Sequence, residues 1–282
     1  MLLSSILGSV MVHPFVPHQG TWWIIEPAIT AGVICLAAAY LIAVGPLRRR
    51  YGWSDHVERR QVVFFLSAML IIFVSLQGPL NELSDYYLFS VHMIQHLLIT
   101  LIMPPLLLKG VPDWLIKPVL QLPFVLPLAR FFTSPFIAFG LFNTVFALWH
   151  APGFYQLALS QPAIHGLEHL LFMATAVLTW WPIFSPSSLL PRLSEPGQML
   201  YLFASSIIPT ILGAIITFAD ISIYPFYAAA PRVAGLSALD DQQGAGLIMW
   251  LGGAGIVLCV LTHRFFIWME REAEEPYESS HV

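Results

Sequence analysis

Long apolar runs separated by short polar links dominate the pattern of this chain. A helix needs about 20 apolar residues to cross the roughly 30 Å of hydrocarbon in a bilayer, because each residue adds about 1.5 Å. The pattern therefore predicts an all-α integral membrane protein that is a bundle of seven transmembrane helices. The predicted spans are residues 24–44, 61–80, 87–108, 134–150, 163–182, 199–219 and 244–268.

The composition fits this prediction. Of the 282 residues, 57% are hydrophobic and only 10% are charged, which is far too apolar for an ordinary soluble domain. We therefore expect the lipid bilayer to surround the chain, and we expect no nucleic acid among its partners.

The basic residues predict which end of the bundle faces the cytoplasm, because Lys and Arg near the ends of spans stay on that side. With the N-terminus outside and the C-terminus inside, eleven of the twelve Lys and Arg residues lie on the cytoplasmic side, and Arg232 alone lies outside. The opposite orientation would place the eleven outside. The sequence thus predicts an extracytoplasmic N-terminus and a cytoplasmic C-terminus.

Three regions follow from this topology. Residues 1–23 form an extracytoplasmic N-terminal segment, residues 24–269 form the membrane domain, and residues 270–282 form an acidic cytoplasmic tail that we expect to be disordered in part. Within the membrane domain, four prolines interrupt residues 109–132, so this segment is predicted to lie along the inner leaflet as an interfacial connector. The first residues lack a basic stretch, and we expect no cleaved signal peptide there.

Cysteine chemistry is not expected to carry the function. Cys35 and Cys259 lie alone in the first and last predicted spans, and the chain contains no CxxC motif. This excludes the thiolate site of soluble copper carriers and of thiol oxidoreductases, and it also excludes a disulfide framework. His13 and His18, in the N-terminal segment, are interpreted as exposed polar residues and not as metal ligands.

Five histidines form the main chemical pattern of the chain. His92 and His96 are four residues apart in the third span, as are His165 and His169 in the fifth. Residues four apart lie on one face of a helix. His150 ends the fourth span. The predicted topology places all five in the outer third of the membrane, although they come from three different helices.

The five histidines share one predicted depth in the membrane. This favours a common metal site over five side chains with separate roles. Ionisable residues inside a membrane are costly and usually face the bundle interior, where they serve a function. A single histidine often only forms a hydrogen bond between helices, but two pairs and a fifth residue at one depth are better explained by a common ligand. No catalytic residue is predicted. The predicted metal ligands are His92, His96, His150, His165, His169 and Met249, and Glu168, in the first turns of the fifth span, is predicted to support them.

The residue types restrict the choice of metal. Imidazole binds copper, zinc, iron and nickel, whereas a thioether beside it, here that of Met249, favours Cu(I). Three alternatives to copper stay open. One is zinc with Glu168, Asp220 or Asp241 as a base, and another is haem held between two imidazoles. In the third, the histidines only pack the helices of a scaffold.

Four stretches of the sequence resemble the seven-helix CtaG family of cytochrome c oxidase assembly factors. They are residues 92–112, 149–152, 165–182 and 241–250. These stretches occur in the family's order, and the resemblance covers about residues 22–270. The family pattern matches His92, His96, His150, His165, His169, Asp241, Gln242 and Met249, but it does not match His13, His18, Cys35 or Cys259. The resemblance thereby adds Asp241 and Gln242 to the residues predicted to support the metal ligands.

The resemblance implies a multi-pass protein of the bacterial plasma membrane that is needed to mature haem–copper oxidases. It also implies copper delivery to the oxidase, with the oxidase subunits and an extracytoplasmic copper donor as partners. From the residues and the resemblance together, we predict a copper-binding metallochaperone and not an enzyme. A membrane-embedded zinc-dependent hydrolase, a haem-binding redox protein and a scaffold without metal are the alternatives.

Overall fold

The computed structural model describes residues 23–233 and 235–278. Within these ranges the chain is helical and contains no strand. The predicted N-terminal segment, with His13 and His18, lies outside the described residues except for Trp23. The helices, numbered in chain order, are α1 Pro27–Tyr51, α2 Arg59–Leu76, α3 Gly78–Tyr86, α4 Phe89–Gly110, α5 Asp113–Leu120, α6 Val125–Phe132, α7 Pro135–His150, α8 Pro152–Ser160, α9 Pro162–Phe184, α10 Glu195–Thr217, α11 Pro225–Ala229 and α12, which runs through Ala238–Leu247, Ile248–Gly252 and Gly253–Glu278.

Six of these helices are long and apolar enough to cross a membrane, namely α1, α2, α4, α9, α10 and α12. Two further pairs of helices reach that length only together: α5 and α6 meet at a bend of 113°, and α7 and α8 meet at a bend of 76°. The described residues therefore contain six to eight candidate spans. The all-helical architecture with several candidate spans is confirmed, whereas a total of seven stays a prediction.

The bend after α7 places His150 at a corner of the chain. α7 corresponds to the predicted span at residues 134–150. It has 16 residues and is the shortest of the helices that correspond to predicted spans. Pro152 restricts the backbone of the residue before it, and Ala151 accordingly has an extended conformation with φ −67° and ψ 131°. The helix therefore ends at His150, and α8 leaves in a new direction.

α4 continues through two consecutive prolines. Pro104 has no N–H to donate to the carbonyl of Thr100, four residues earlier. The indole Nε1–H of Trp180 in α9 donates to that carbonyl at 2.8 Å, and the turn Leu98–Ile102 is widened to a π-helix. The contact fixes α4 against α9, and these are the two helices that carry the histidine pairs.

The end of the bundle opposite the histidines carries cationic side chains. Lys109, near the end of α4, lies 4.5 Å above the ring of Phe184, and Arg264 of α12 lies 4.8 Å from the centre of the same ring. Phe184 ends α9, whereas the histidines of α4 and α9 lie near the starts of those helices. Lys109 and Arg264 thus lie at the end opposite the histidine pairs of α4 and α9. Which end faces the cytoplasm stays a prediction.

The last helix extends beyond the end predicted for its span. Its final part, Gly253–Glu278, includes most of the region that we expected to be disordered in part. The indole N–H of Trp268 donates to Glu272 at 3.0 Å, and Arg271 forms an ion pair with Glu195 of α10. The stretch that forms these contacts is rich in Glu, Arg and Ala, which are residues that favour helix. The helix therefore continues past the membrane span.

α10 and α12 approach each other closely enough for their backbones to touch. A Cβ atom added at Gly246 would lie 2.6 Å from the backbone nitrogen of Thr217 and 2.8 Å from the carbonyl oxygen of Gly213. Small residues permit such an approach between membrane helices. The contact fixes the first turns of α12, which carry Asp241 and Gln242, against the rest of the bundle.

Candidate metal centre

Three helices bring the five predicted histidines together near one end of the bundle. The rings of His92 and His96 on α4 have centroids 4.2 Å apart, and those of His165 and His169 on α9 have centroids 4.3 Å apart. Between helices, the ring centroid of His92 lies 5.7 Å from that of His165. The ring centroid of His96 lies 5.7 Å from that of His169 and 6.0 Å from that of His150 on α7. We call these five residues the histidine cluster.

The histidine cluster is buried, and many of its ring nitrogens have no hydrogen-bond partner among the described residues. The exposed fraction is 0% for His92 and 2% for His96, and all four ring nitrogens of this pair are unpartnered. The same holds for Nε2 of His150, His165 and His169. Burying a polar atom without a partner costs free energy. This concentration of unpartnered nitrogens therefore indicates a site for a ligand that imidazoles bind.

The ring of His150 is oriented by its own helix. Its Nδ1 lies 2.8 Å from the carbonyl oxygen of Phe146, one turn earlier, so we assign the proton to Nδ1. The lone pair is then on the unpartnered Nε2. Histidines that bind metals typically donate their second ring N–H to a carbonyl or carboxylate in this way. The ring of His150 therefore has the orientation and the free Nε2 lone pair expected of a metal ligand.

Glu168 was predicted only to support the metal ligands, but its carboxylate lies next to His92 and His96. Two groups of side chains have ligand atoms that all lie within 4.8 Å of one another: His92 with His165 and His169, and His92 with His96 and Glu168. The exposed fraction of Glu168 is 1%, and its Oε1 is unpartnered among the described residues. Its carboxylate is thus placed to bind the same ion as the imidazoles.

Asp241 acts on the histidine cluster through the backbone of α4. Its carboxylate accepts hydrogen bonds from the backbone N–H groups of Phe89 at 2.7 Å and Ser90 at 3.1 Å. These donors belong to the first turn of α4, whose N–H groups have no partner within the helix and carry partial positive charge. Asp241 therefore caps the helix that carries His92 and His96, and in this way it fixes where that helix begins.

Gln242 also acts at a distance from the imidazoles. It accepts a hydrogen bond from the backbone N–H of Ile223 at 2.7 Å and donates one to the carbonyl of Ile221 at 3.1 Å. The same link carries Tyr224, whose hydroxyl donates to the carbonyl of His150 at 2.9 Å. Gln242 therefore holds the link that positions the end of α7. Tyr224 was not among the predicted residues, and its only sign in the sequence is an aromatic stretch within a polar link.

Met249 belongs to the apolar core that packs around the histidine cluster. It is buried and lines an apolar cavity together with Thr100, Phe146 and Trp180. Thr100 and Trp180 come after the histidine pairs on α4 and α9, so this cavity lies toward the middle of the bundle. The ligand role of Met249 stays a prediction.

The three carboxylates predicted as possible bases for a zinc site, those of Glu168, Asp220 and Asp241, lie in different parts of the structure. Asp241 is engaged in the cap of α4, and Asp220 is exposed in the link after α10. Glu168 is the carboxylate that the structure places with the imidazoles. Of these three carboxylates, Glu168 is therefore the one positioned to act as a base for zinc chemistry.

Asp85 on α3 is a neighbour of the histidine cluster that the predicted ligand set does not contain. Its Oδ1 lies 3.9 Å from Nε2 of His165. Burial raises the pKa of the Asp85 carboxyl above its ordinary value, and the nearby His165 opposes that rise. The residue belongs to a short polar link between two predicted spans, but its spacing from His165 depends on the packing of α3 against α9.

The cap at the start of α4 gives a first prediction. Asp241→Ala removes the acceptor of two backbone N–H groups, one of them on the buried Phe89. Loss of a capping side chain costs about 0.5–2 kcal/mol, so we expect a lower free energy of unfolding and a melting temperature that falls by several degrees. Thermal unfolding of the detergent-purified protein measures this change.

Two variants test whether the effect comes from the cap. Asp241→Asn retains a side-chain acceptor and is expected to recover much of the lost stability, because Asn is a good capping residue. Asp220→Ala removes a carboxylate from an exposed position and should leave the melting temperature unchanged. Equal melting temperatures for Asp241→Ala and the unaltered protein would contradict the capping role.

One comparison with known proteins identifies a family for this chain. The sequence model of one family, described as cytochrome c oxidase caa3 assembly factor (Caa3_CtaG), matches residues 38–271. A comparison with curated proteins and one with solved structures gave no match. The matched region contains all five members of the histidine cluster together with Glu168, Asp241 and Gln242. The chain therefore belongs to the family of cytochrome c oxidase caa3 assembly factors.

Proposed function

We propose that this protein binds copper through the histidine cluster and delivers it to a haem–copper cytochrome c oxidase during assembly. The observation that carries this proposal is the convergence of buried, unpartnered imidazole nitrogens from α4, α7 and α9. The family is one of oxidase assembly factors, and the oxidase contains copper that must be supplied. We assign the protein no catalytic residue.

The donor set suits copper that is to be passed on. Imidazole is a good copper ligand, and a carboxylate such as that of Glu168 also binds Cu(II). The two described cysteines are exposed and lie apart from the cluster, so the proposed site lacks a thiolate cage. Ligands of this kind allow the ion to leave again, which a delivery protein requires.

The proposed orientation brings the histidine cluster to the extracytoplasmic side of the bacterial plasma membrane. The basic residues Lys109 and Arg264 lie at the opposite end, and such residues favour the cytoplasmic side. A copper donor outside the membrane and the copper-receiving oxidase subunit in the same membrane would both reach the cluster. These are the proposed partners.

A zinc hydrolase is the second candidate function. The group of His92, His96 and Glu168 has two imidazoles and one carboxylate, and two histidines with one glutamate bind the zinc ion of several hydrolases. Such an enzyme also needs an open coordination position and a base. If Glu168 is a ligand, it is not available as that base, which makes copper delivery the better supported proposal.

Metal analysis of the purified protein tests the proposed function. Protein isolated from copper-supplied cells, or loaded with copper after purification, should contain about one copper ion per chain. Zinc at that level instead of copper would favour the hydrolase, and a haem absorbance spectrum would favour the redox alternative. A folded protein that binds none of them would contradict the metal site and favour a scaffold.

A further inference from the structure

We propose that the cavity beside the histidine cluster is the path by which copper reaches the cluster, and that Asp85 passes the ion to His165. This inference rests on the proposed function. The cavity has a volume of about 630 Å³ and is partly open to the surface. We call it the access cavity. Its polar walls include Glu26, Asn81, Glu82, Asp85, His165 and His169.

The access cavity has the electrostatic character that a cation requires. Three carboxylates, those of Glu26, Glu82 and Asp85, line it, and among the described residues no lysine or arginine does. A cleft lined by charges of one sign raises the local concentration of the opposite ion and increases the association rate by about 10- to 1000-fold. The charges on the walls therefore favour the uptake of a cation over that of an anion.

The access cavity leads to unpartnered ligand atoms. His169 lies on its wall, is only 7% exposed, and has an Nε2 without a hydrogen-bond partner among the described residues. The exposed fraction of the side chain falls from 16% at Asp85 to 12% at His165. His92, next to both histidines of α9, is completely buried. From Asp85 through His165 and His169 to His92, the side chains become steadily more buried. The access cavity therefore leads from the surface into the histidine cluster.

Hydrogen bonds hold the carboxylate of Asp85 in one position, which suits it to pass a copper ion to His165. Its carboxylate accepts hydrogen bonds from Nδ2 of Asn81 at 2.9 Å and from the hydroxyl of Ser84 at 3.0 Å. Asn81 in turn accepts a hydrogen bond from Gln95 at 3.0 Å, and Gln95 lies between His92 and His96 in the sequence of α4. These bonds couple the position of the carboxylate to the helix that carries two of the six predicted ligands.

The spacing of Asp85 and His165 fits two ligands of one ion. Carboxylate oxygens and imidazole nitrogens bind metals such as zinc at about 2 Å, so two ligands of one ion are at most about 4 Å apart. The observed distance between Oδ1 of Asp85 and Nε2 of His165 is 3.9 Å. The ion would bind the carboxylate first and then bind Nε2 of His165 as the carboxylate bond breaks, and its oxidation state would not change.

The rate of copper uptake tests this path. The full-length protein in detergent is mixed with Cu(II) chloride, uptake is followed by quenching of tryptophan fluorescence in stopped flow, and the final copper content is measured by elemental analysis. Asp85→Asn is expected to slow uptake about tenfold and to leave the final copper content unchanged. The rate should also depend less on salt in this variant, because salt screens the attraction that the lost charge supplied.

Two matched variants separate charge from structure. Asp85→Glu keeps the carboxylate and should retain most of the uptake rate. Asp55→Asn removes a carboxylate from an exposed position in the link between α1 and α2 and should leave the rate unchanged. If Asp55→Asn slows uptake as much as Asp85→Asn does, the effect belongs to overall charge, and the access path is overturned.

The remaining outcomes distinguish this inference from the proposed function. If the unaltered protein binds copper and Asp85→Asn takes it up equally fast, the access path is wrong while the proposed function stands. If Asp85→Asn lowers the final copper content and not the rate, Asp85 is a ligand of the centre, and the transfer role is wrong. If the unaltered protein binds no copper, the proposed function itself is contradicted.

Discussion

Replacement of His92 and His169 together by alanine is expected to weaken copper binding by on the order of 100-fold or more and to lower the activity of the oxidase that depends on this protein. His92 belongs to both groups of ligand atoms, and His169 belongs to one of them. The double variant therefore leaves no complete group of three. Copper content of the purified protein and oxidase activity of the cell membranes are the two measurements.

The matched control for this prediction is His263→Ala. His263 is an exposed histidine on α12 next to Arg264, at the basic end of the bundle. It should retain full copper content and full oxidase activity. A second double variant, with glutamine at positions 92 and 169, fills more of the space that alanine leaves and keeps the test valid if the alanine variant unfolds. Unchanged copper content in a folded double variant would exclude the histidine cluster as the copper site.

Glu168→Gln is expected to weaken copper binding about 10- to 100-fold. The amide is nearly the same size as the carboxylate, but it has no negative charge to offer the ion. The same change should raise the melting temperature of the copper-free protein, because Glu168 is only 1% exposed and a buried carboxyl group must either keep its charge or take up a proton on folding, both of which cost free energy. Copper titration and thermal unfolding of the copper-free form measure these two opposite effects.

Glu270→Gln serves as the control, since Glu270 is exposed near the far end of α12. It should change neither copper affinity nor melting temperature. A Glu168→Gln variant with unaltered copper affinity would show that the carboxylate is not a ligand, and the centre would then consist of imidazoles alone. A variant with lower stability in the copper-free form would instead point to a structural role for the carboxylate.

The parts of the site that follow from helix geometry were accessible from the sequence. The spacing of His92 from His96, and of His165 from His169, places each pair on one helix face whatever the rest of the chain does. The pattern of apolar runs gives the direction of each helix and hence a common depth. Both properties depend on residues close together in the sequence, and the structure brings these four rings together with that of His150.

The supporting contacts could not be predicted in this way, because they join distant parts of the chain. Asp241 caps α4 across 152 positions of sequence, and Tyr224 reaches the carbonyl of His150 across 74. The sequence marked Asp241 and Gln242 as important but did not indicate that each acts through backbone groups. Glu168 is one residue from His169 and points about 100° away from it around the helix, so only the packing of α4 against α9 places its carboxylate beside His92 and His96.

The helix limits show where local signals in the sequence are insufficient. The acidic stretch after the last span was expected to be disordered in part, yet its Glu, Arg and Ala residues favour helix and Arg271 contacts Glu195. Proline is a weaker signal inside a bundle, because Trp180 supplies the hydrogen bond that Pro104 leaves unmade. In both cases a contact between distant parts of the chain accompanies a helix that continues.

The most direct test of the central claim is X-ray absorption spectroscopy at the copper edge of the copper-loaded protein. The account predicts a first coordination shell of nitrogen and oxygen with the multiple scattering of at least two imidazoles, and it predicts that this imidazole signal is lost when His92 and His169 are replaced. A shell dominated by sulfur, or a copper spectrum without imidazole scattering, would contradict the assignment of the histidine cluster as the copper site.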